Sequence, residues 1–94
     1  MRIREFQDLI RKTYHDRDAK RGLDLDFIWF TEEVGELAEA VRKRDVASMK
    51  EEAADVLAWL VTCCSLLGVD VEEAALAKYG KGCPRCAAIP CRCA

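Results

Sequence analysis

Apolar side chains recur along this chain at steps of three and four, the period of an amphipathic helix, and nowhere alternate as a strand requires. Ile3, Phe6, Ile10 and Tyr14 predict a first helix that frays near Arg17, with the polar stretch 18–22 as a loop ending at Gly22. Phe27, Phe30, Val34, Leu37 and Val41 stripe a second helix, starting near Asp24 or Asp26 and running to about Lys43. Asp45 is placed to cap a third, with Ser48 to Glu51 as an alternative capping box; it runs to about Leu67 and stops at Gly68. Asp70-Val-Glu-Glu73 opens a fourth, which ends at Gly80. Short links between the second, third and fourth helices favour antiparallel packing, so the expected fold is all-α, a four-helix bundle. Residues 1–80 form the domain, and 81–94 form a short appendage rich in Cys, Gly, Pro and Arg.

The polar positions carry more than solubility. With Glu33 set at zero and ~100° per residue, the apolar stripe of the second helix lies at roughly +40° to +120°. Glu33 stands at its edge and Glu36 about 60° further out, while Glu32 and Glu39 lie more exposed on the same flank. The third helix repeats the design: Glu52 at the edge of a stripe formed by Met49, Ala53, Val56, Leu60 and Leu67, with Asp55 about 60° outside. Packed antiparallel, both pairs point into one cleft. Four carboxylates so close repel and lose hydration unless a hard divalent cation neutralises them, and oxygen-only ligation suits Mg²⁺ or Mn²⁺. The plainer reading is a solvated acidic face, and it suits Glu51 and the Glu39–Lys43 pair. It suits Glu33 and Asp55 less, because neither has a Lys or Arg one turn away.

Those acids also carry a resemblance. Thr31-Glu-Glu-Val-Gly-Glu-Leu-Ala-Glu39 resembles the EExxE segment of MazG-type nucleotide pyrophosphohydrolases, and Glu52-Ala-Ala-Asp55 the ExxD segment that follows on the next helix. The likeness runs from about Tyr14 to Tyr79 and takes in the aromatic run before EExxE and the Gly-Val-Asp-Val-Glu-Glu turn after the third helix. It implies hydrolysis of a nucleoside triphosphate to the monophosphate and pyrophosphate, with Glu33, Glu36, Glu52 and Asp55 as Mg²⁺ ligands. It implies that Glu32 orients or deprotonates the attacking water, and that the role is clearing unwanted nucleotides. It also implies dimers, often paired into tetramers. Within the same superfamily the rival is phosphoribosyl-ATP pyrophosphohydrolase. From another class, the rival is a non-catalytic helical oligomer whose tail binds a partner.

Substrate phosphates need cations, and Lys78, Lys81, Lys20 and Arg21 are candidates, each equally readable as ordinary surface charge. Trp29 lies one turn before Glu33 on the metal flank and can stack on a base; Trp59 holds the equivalent place after Asp55. Burial in the core or a dimer interface is the competing reading for both. His15 is the only histidine, and no Ser/His/Asp or Cys/His arrangement accompanies it.

Composition narrows the classes. The chain is 51% apolar and 34% charged, which favours a folded domain. A net charge of −2 gives no general field for nucleic acid. No apolar run approaches the ~20 residues of a membrane span, and the first residues lack the apolar core of a signal peptide, so a cytoplasmic protein is expected. Phe27, Ile28, Trp29 and Phe30 in succession put apolar surface around too much of the second helix for a monomer, so at least a homodimer is expected.

Of six cysteines, four fall at Cys83, Cys86, Cys91 and Cys93. One tetrahedral Zn²⁺ can order such a segment, although the Cys-x-Cys half is tighter than usual. A tail of reduced thiols or a redox-sensitive pair are the alternatives. Cys63 and Cys64, on the third helix, read as small buried apolar residues.

Overall fold

In the computed structural model, which describes all 94 residues, the chain is four helices and no strand. They are α1 (Ile3–Arg21), α2 (Leu23–Lys43), α3 (Val46–Leu66) and α4 (Val71–Tyr79). The fold is all-α as the periodicity indicates.

The local signals at the α2/α3 corner work as expected. Arg44 turns left-handed at φ 56°, its amide donating to Ala40 and Val41 carbonyls, and this ends α2. Asp45 then caps α3 by accepting from Ser48 N–H at 3.1 Å and Ser48 Oγ at 2.9 Å. Asp70 caps α4 in the same way, accepting from Glu73 N–H at 2.9 Å. With a two-residue corner, α2 and α3 pack side by side as an antiparallel pair, and α1 lies across α3.

Two expectations need correction. The stretch 18–21 is not a loop: α1 runs through it, and the whole break before α2 is Gly22 at φ 97°. Lys20 stays exposed, but Asp18 faces inward and is buried, accepting from Thr62 Oγ1 at 3.1 Å and from Arg21 at 2.9 Å. Nor does α4 run antiparallel to α3. It leaves at 99° and packs on the start of α1. The buried Gln7 amide sets this corner, donating to Ser65 Oγ at 3.0 Å and the Val69 carbonyl at 2.9 Å and accepting from Val71 N–H at 3.0 Å. Arg2 and Arg4 then hold Glu72, and Arg4 also holds Asp70 at 2.7 Å.

The core of one chain is thin. Ala40 and Val61 are its only buried apolar residues, while Phe27 and Ile28 stay half exposed. The accessible surface is 7059 Å², against about 5,500 Å² for a monomer of this mass. The radius of gyration is 15.5 Å, where about 12 Å is typical of this length. No single helix is long and apolar enough to cross a membrane.

Candidate active site

The α2/α3 seam is built from one spacing used twice. On α2, Asp26, Trp29, Glu33 and Glu36 follow at steps of three, four and three; on α3, Glu52, Asp55, Trp59 and Thr62 do the same. Residues so spaced share a helical face. Because the helices run in opposite directions, the acids at the end of one series come beside those at the start of the other. The two tryptophans fix the register: their ring centroids lie 5.5 Å apart, edge to face at 86°.

At one end of the seam a cation meets the acids, one guanidinium for two carboxylates, and only Asp26 Oδ2 there is left sealed without a donor. Asp26 has no exposed surface, and its Oδ1 accepts from Arg21 at 2.7 Å. The same guanidinium holds Asp18 and lies 4.4 Å from the centroid of Trp29 and 5.4 Å from that of Trp59. Trp29 and Trp59 also line a cleft of about 280 Å³, with Tyr14, Arg17, Arg21 and Asp55 around it.

Two turns along, the acids meet no internal cation at all. Glu33, Glu36 and Glu52 bring one oxygen each within 4.8 Å of the others, and no Lys or Arg pairs with any of them. Glu33 Oε2 and Glu52 Oε2 are sealed from solvent and have no hydrogen-bond donor. Burial, then the carboxyls of Glu52 and Glu36, push Glu33 up to about 7. Burial likewise raises Glu52, with Glu36 and Asp55 adding to the rise. Such a cluster is costly alone, and a divalent cation with oxygen preference fits its donor set.

The remaining expected residues fall at graded distances. Asp55 lies outside the three-oxygen group, but it lines the adjoining cleft and its charge raises both Glu33 and Glu52. Glu36 and Glu52 also border a second, polar hollow of about 320 Å³ with Glu39, Lys43 and Ser48. Glu39 pairs with Lys43 at 2.9 Å, the solvated pair that its spacing suggests. Glu32 is exposed and outside the cluster. Arg21 reaches the cleft, whereas Lys78, 5.4 Å from the ring centroid of Tyr79, and Lys81 line neither hollow. Helical period alone does not mark Asp18, Asp26 or Thr62 as site-builders. The sequence signal for Asp26 is that it stands a heptad before Glu33, nearly on one line of α2.

The tail also gathers its cysteines. The sulfurs of Cys83, Cys86, Cys91 and Cys93 all lie within 4.8 Å of one another. Amides of Cys86 and Arg85 aimed at Cys83 hold its thiol down at about 6. Cys63 and Cys64 are only half buried, and burial raises both thiols.

The family model for the MazG nucleotide pyrophosphohydrolase domain matches residues 27–87, a span holding both acidic pairs and the first two tail cysteines. The chain belongs to the MazG family of nucleotide pyrophosphohydrolase domains. A comparison with curated proteins returned no match.

Proposed function

We propose that this protein hydrolyses nucleoside triphosphates to the monophosphate and pyrophosphate with Mg²⁺, or Mn²⁺ in its place, and so clears unwanted nucleotides from the cytoplasm. The observation that carries the reading is the pair of sealed, donorless oxygens on Glu33 and Glu52, inside a three-acid cluster that no Lys or Arg pairs with. Glu33, Glu36 and Glu52 would hold the metal, with Asp55 completing the set from the edge of the cleft. The bound ion would supply neutralisation of phosphate charge and acidification of water. Glu32, exposed and one turn before Glu36, is the group we assign to orient the attacking water. Water adds to the α-phosphorus, the bond to the bridging oxygen breaks, and pyrophosphate leaves.

Trp29 offers the base a face at the cleft wall, and Arg21 holds that wall in place. Lys78 and Lys81 line neither hollow, so within one chain phosphate charge falls to the metal and to Arg17 and Arg21 at the cleft. The excess surface and the exposed Phe27, Ile28, Leu57 and Leu60 support a homodimer or homotetramer as the working form.

The test is pyrophosphate release from a panel of ordinary, deoxy and oxidised triphosphates and phosphoribosyl-ATP, with Mg²⁺ and with EDTA. Release from at least one ordinary or modified triphosphate, abolished by EDTA, is expected. Indifference to EDTA, or turnover of phosphoribosyl-ATP alone, defeats the reading.

A further inference from the structure

We propose that Cys83, Cys86, Cys91 and Cys93 form a structural Zn²⁺ site that folds residues 81–94, independently of the carboxylate cluster. Four thiolates around a tetrahedral Zn²⁺ at about 2.3 Å stand about 3.8 Å from one another. Cys83 Sγ and Cys93 Sγ, from opposite ends of the segment, lie 3.6 Å apart, and all four sulfurs fall within 4.8 Å. That separation is far beyond a disulfide bond. It matches an edge of the coordination tetrahedron.

The backbone is bent to bring this about. Gly82 at φ 102° and Ala87 at φ 57° turn the chain on either side of the Cys83-Pro-Arg-Cys86 knuckle. Ala87 N–H closes the knuckle on the Cys83 carbonyl at 2.6 Å, and Cys83 N–H donates to the Ala88 carbonyl at 3.2 Å. Ala87 spends its left-handed turn without the excuse of being glycine. Amides also face the sulfurs: Arg92 N–H donates to Cys86 Sγ at 3.3 Å, and Cys93 N–H to Cys91 Sγ at 3.4 Å. Such donors stabilise thiolate charge around a metal.

Beyond these few hydrogen bonds the segment has no core of its own. It has no helix or strand, and Ile89, its one large apolar residue, is 82% exposed. A closed, all-thiolate, four-coordinate centre is a folding element with no open position for chemistry. On binding, four S–H bonds give way to four Zn–S bonds, up to four protons pass to the buffer, and no electron moves. The centre's net charge of −2 is offset by Lys81, Arg85 and Arg92 around it in sequence.

The experiment uses the full chain, reduced and dialysed. One Zn²⁺ per chain should remain by elemental analysis, and Co²⁺ in its place should give thiolate charge-transfer and tetrahedral ligand-field bands that Zn²⁺ abolishes. Tryptic cleavage after Arg85 and Arg92 should slow by about tenfold or more when metal is bound. Cys83→Ser and, as a second variant, Cys91→Ser with Cys93→Ser should each lose the Zn²⁺ while helical circular dichroism stays unchanged. A reduced native chain that retains no Zn²⁺ overturns the proposal. So does retention by the double variant, or loss of the metal from Glu36→Gln, which would put the ion on the carboxylates.

Discussion

Asp26 and Glu33 stand seven residues apart on one face of α2, and each turns a carboxylate into the seam with α3. Asp26 is the more deeply buried, yet Arg21 reaches it from the end of α1 at 2.7 Å. Glu33 meets two further acids and no base. A buried carboxylate with an internal cation is part of the scaffold. One left among its own kind waits for a cation from outside, and the contrast lies in the partner supplied, not in the depth of burial.

Removing Arg21 attacks the first half of this contrast. Arg21→Met strands Asp26 and Asp18 beside two tryptophans, and breaking a buried pair in this way should cost about 3 kcal/mol in denaturant unfolding. A variant as stable as the native chain would erase the distinction. Glu36→Gln attacks the second half: pyrophosphate release should fall by about 10²-fold or more, with the fold intact by circular dichroism.

Glu33→Gln sharpens the comparison, because its two effects should have opposite signs. It abolishes metal-dependent turnover but relieves the like-charge cluster, so the metal-free protein should gain about 1 kcal/mol in chemical denaturation. The smallest effect is on pH. Glu33 titrates at about 7 in the fold against an ordinary 4.5, so between those values the folded chain holds a proton that the unfolded chain has lost. Metal-free stability should therefore fall as pH rises from 4.5 to 7 and level off above, and saturating Mg²⁺ should flatten the slope. Thermal melts across that window, with and without the ion, measure both.

The parts of this molecule legible in its sequence are those that local geometry decides. Asp45 and Asp70 cap helices through amides three residues on, and the edge positions of Glu33, Glu36 and Glu52 follow from helical period alone. What stayed hidden depends on partners far along the chain. Asp18 looked like a loop residue because its hydroxyl donor, Thr62, is 44 positions away. Asp26 looked like a helix start, and only the position of Arg21 against the tryptophans makes it a buried anchor. The direction of α4 is set by Gln7 and Arg2, some 60 to 70 positions upstream, which no turn signal at Gly68 encodes. Asp55, matched by spacing to its neighbours, is set apart from them only by packing, which turns it to the cleft.

The edge-to-face tryptophans have one more consequence. The chain carries two tryptophans, and both stand in the same wall, beside a guanidinium and facing the cleft that Asp55 borders. Ultraviolet emission from this protein is therefore a local signal. Light absorbed by either indole reports on a few ångströms around Arg21, and a base stacked in that cleft should alter the brightness or colour of the glow without any dye attached.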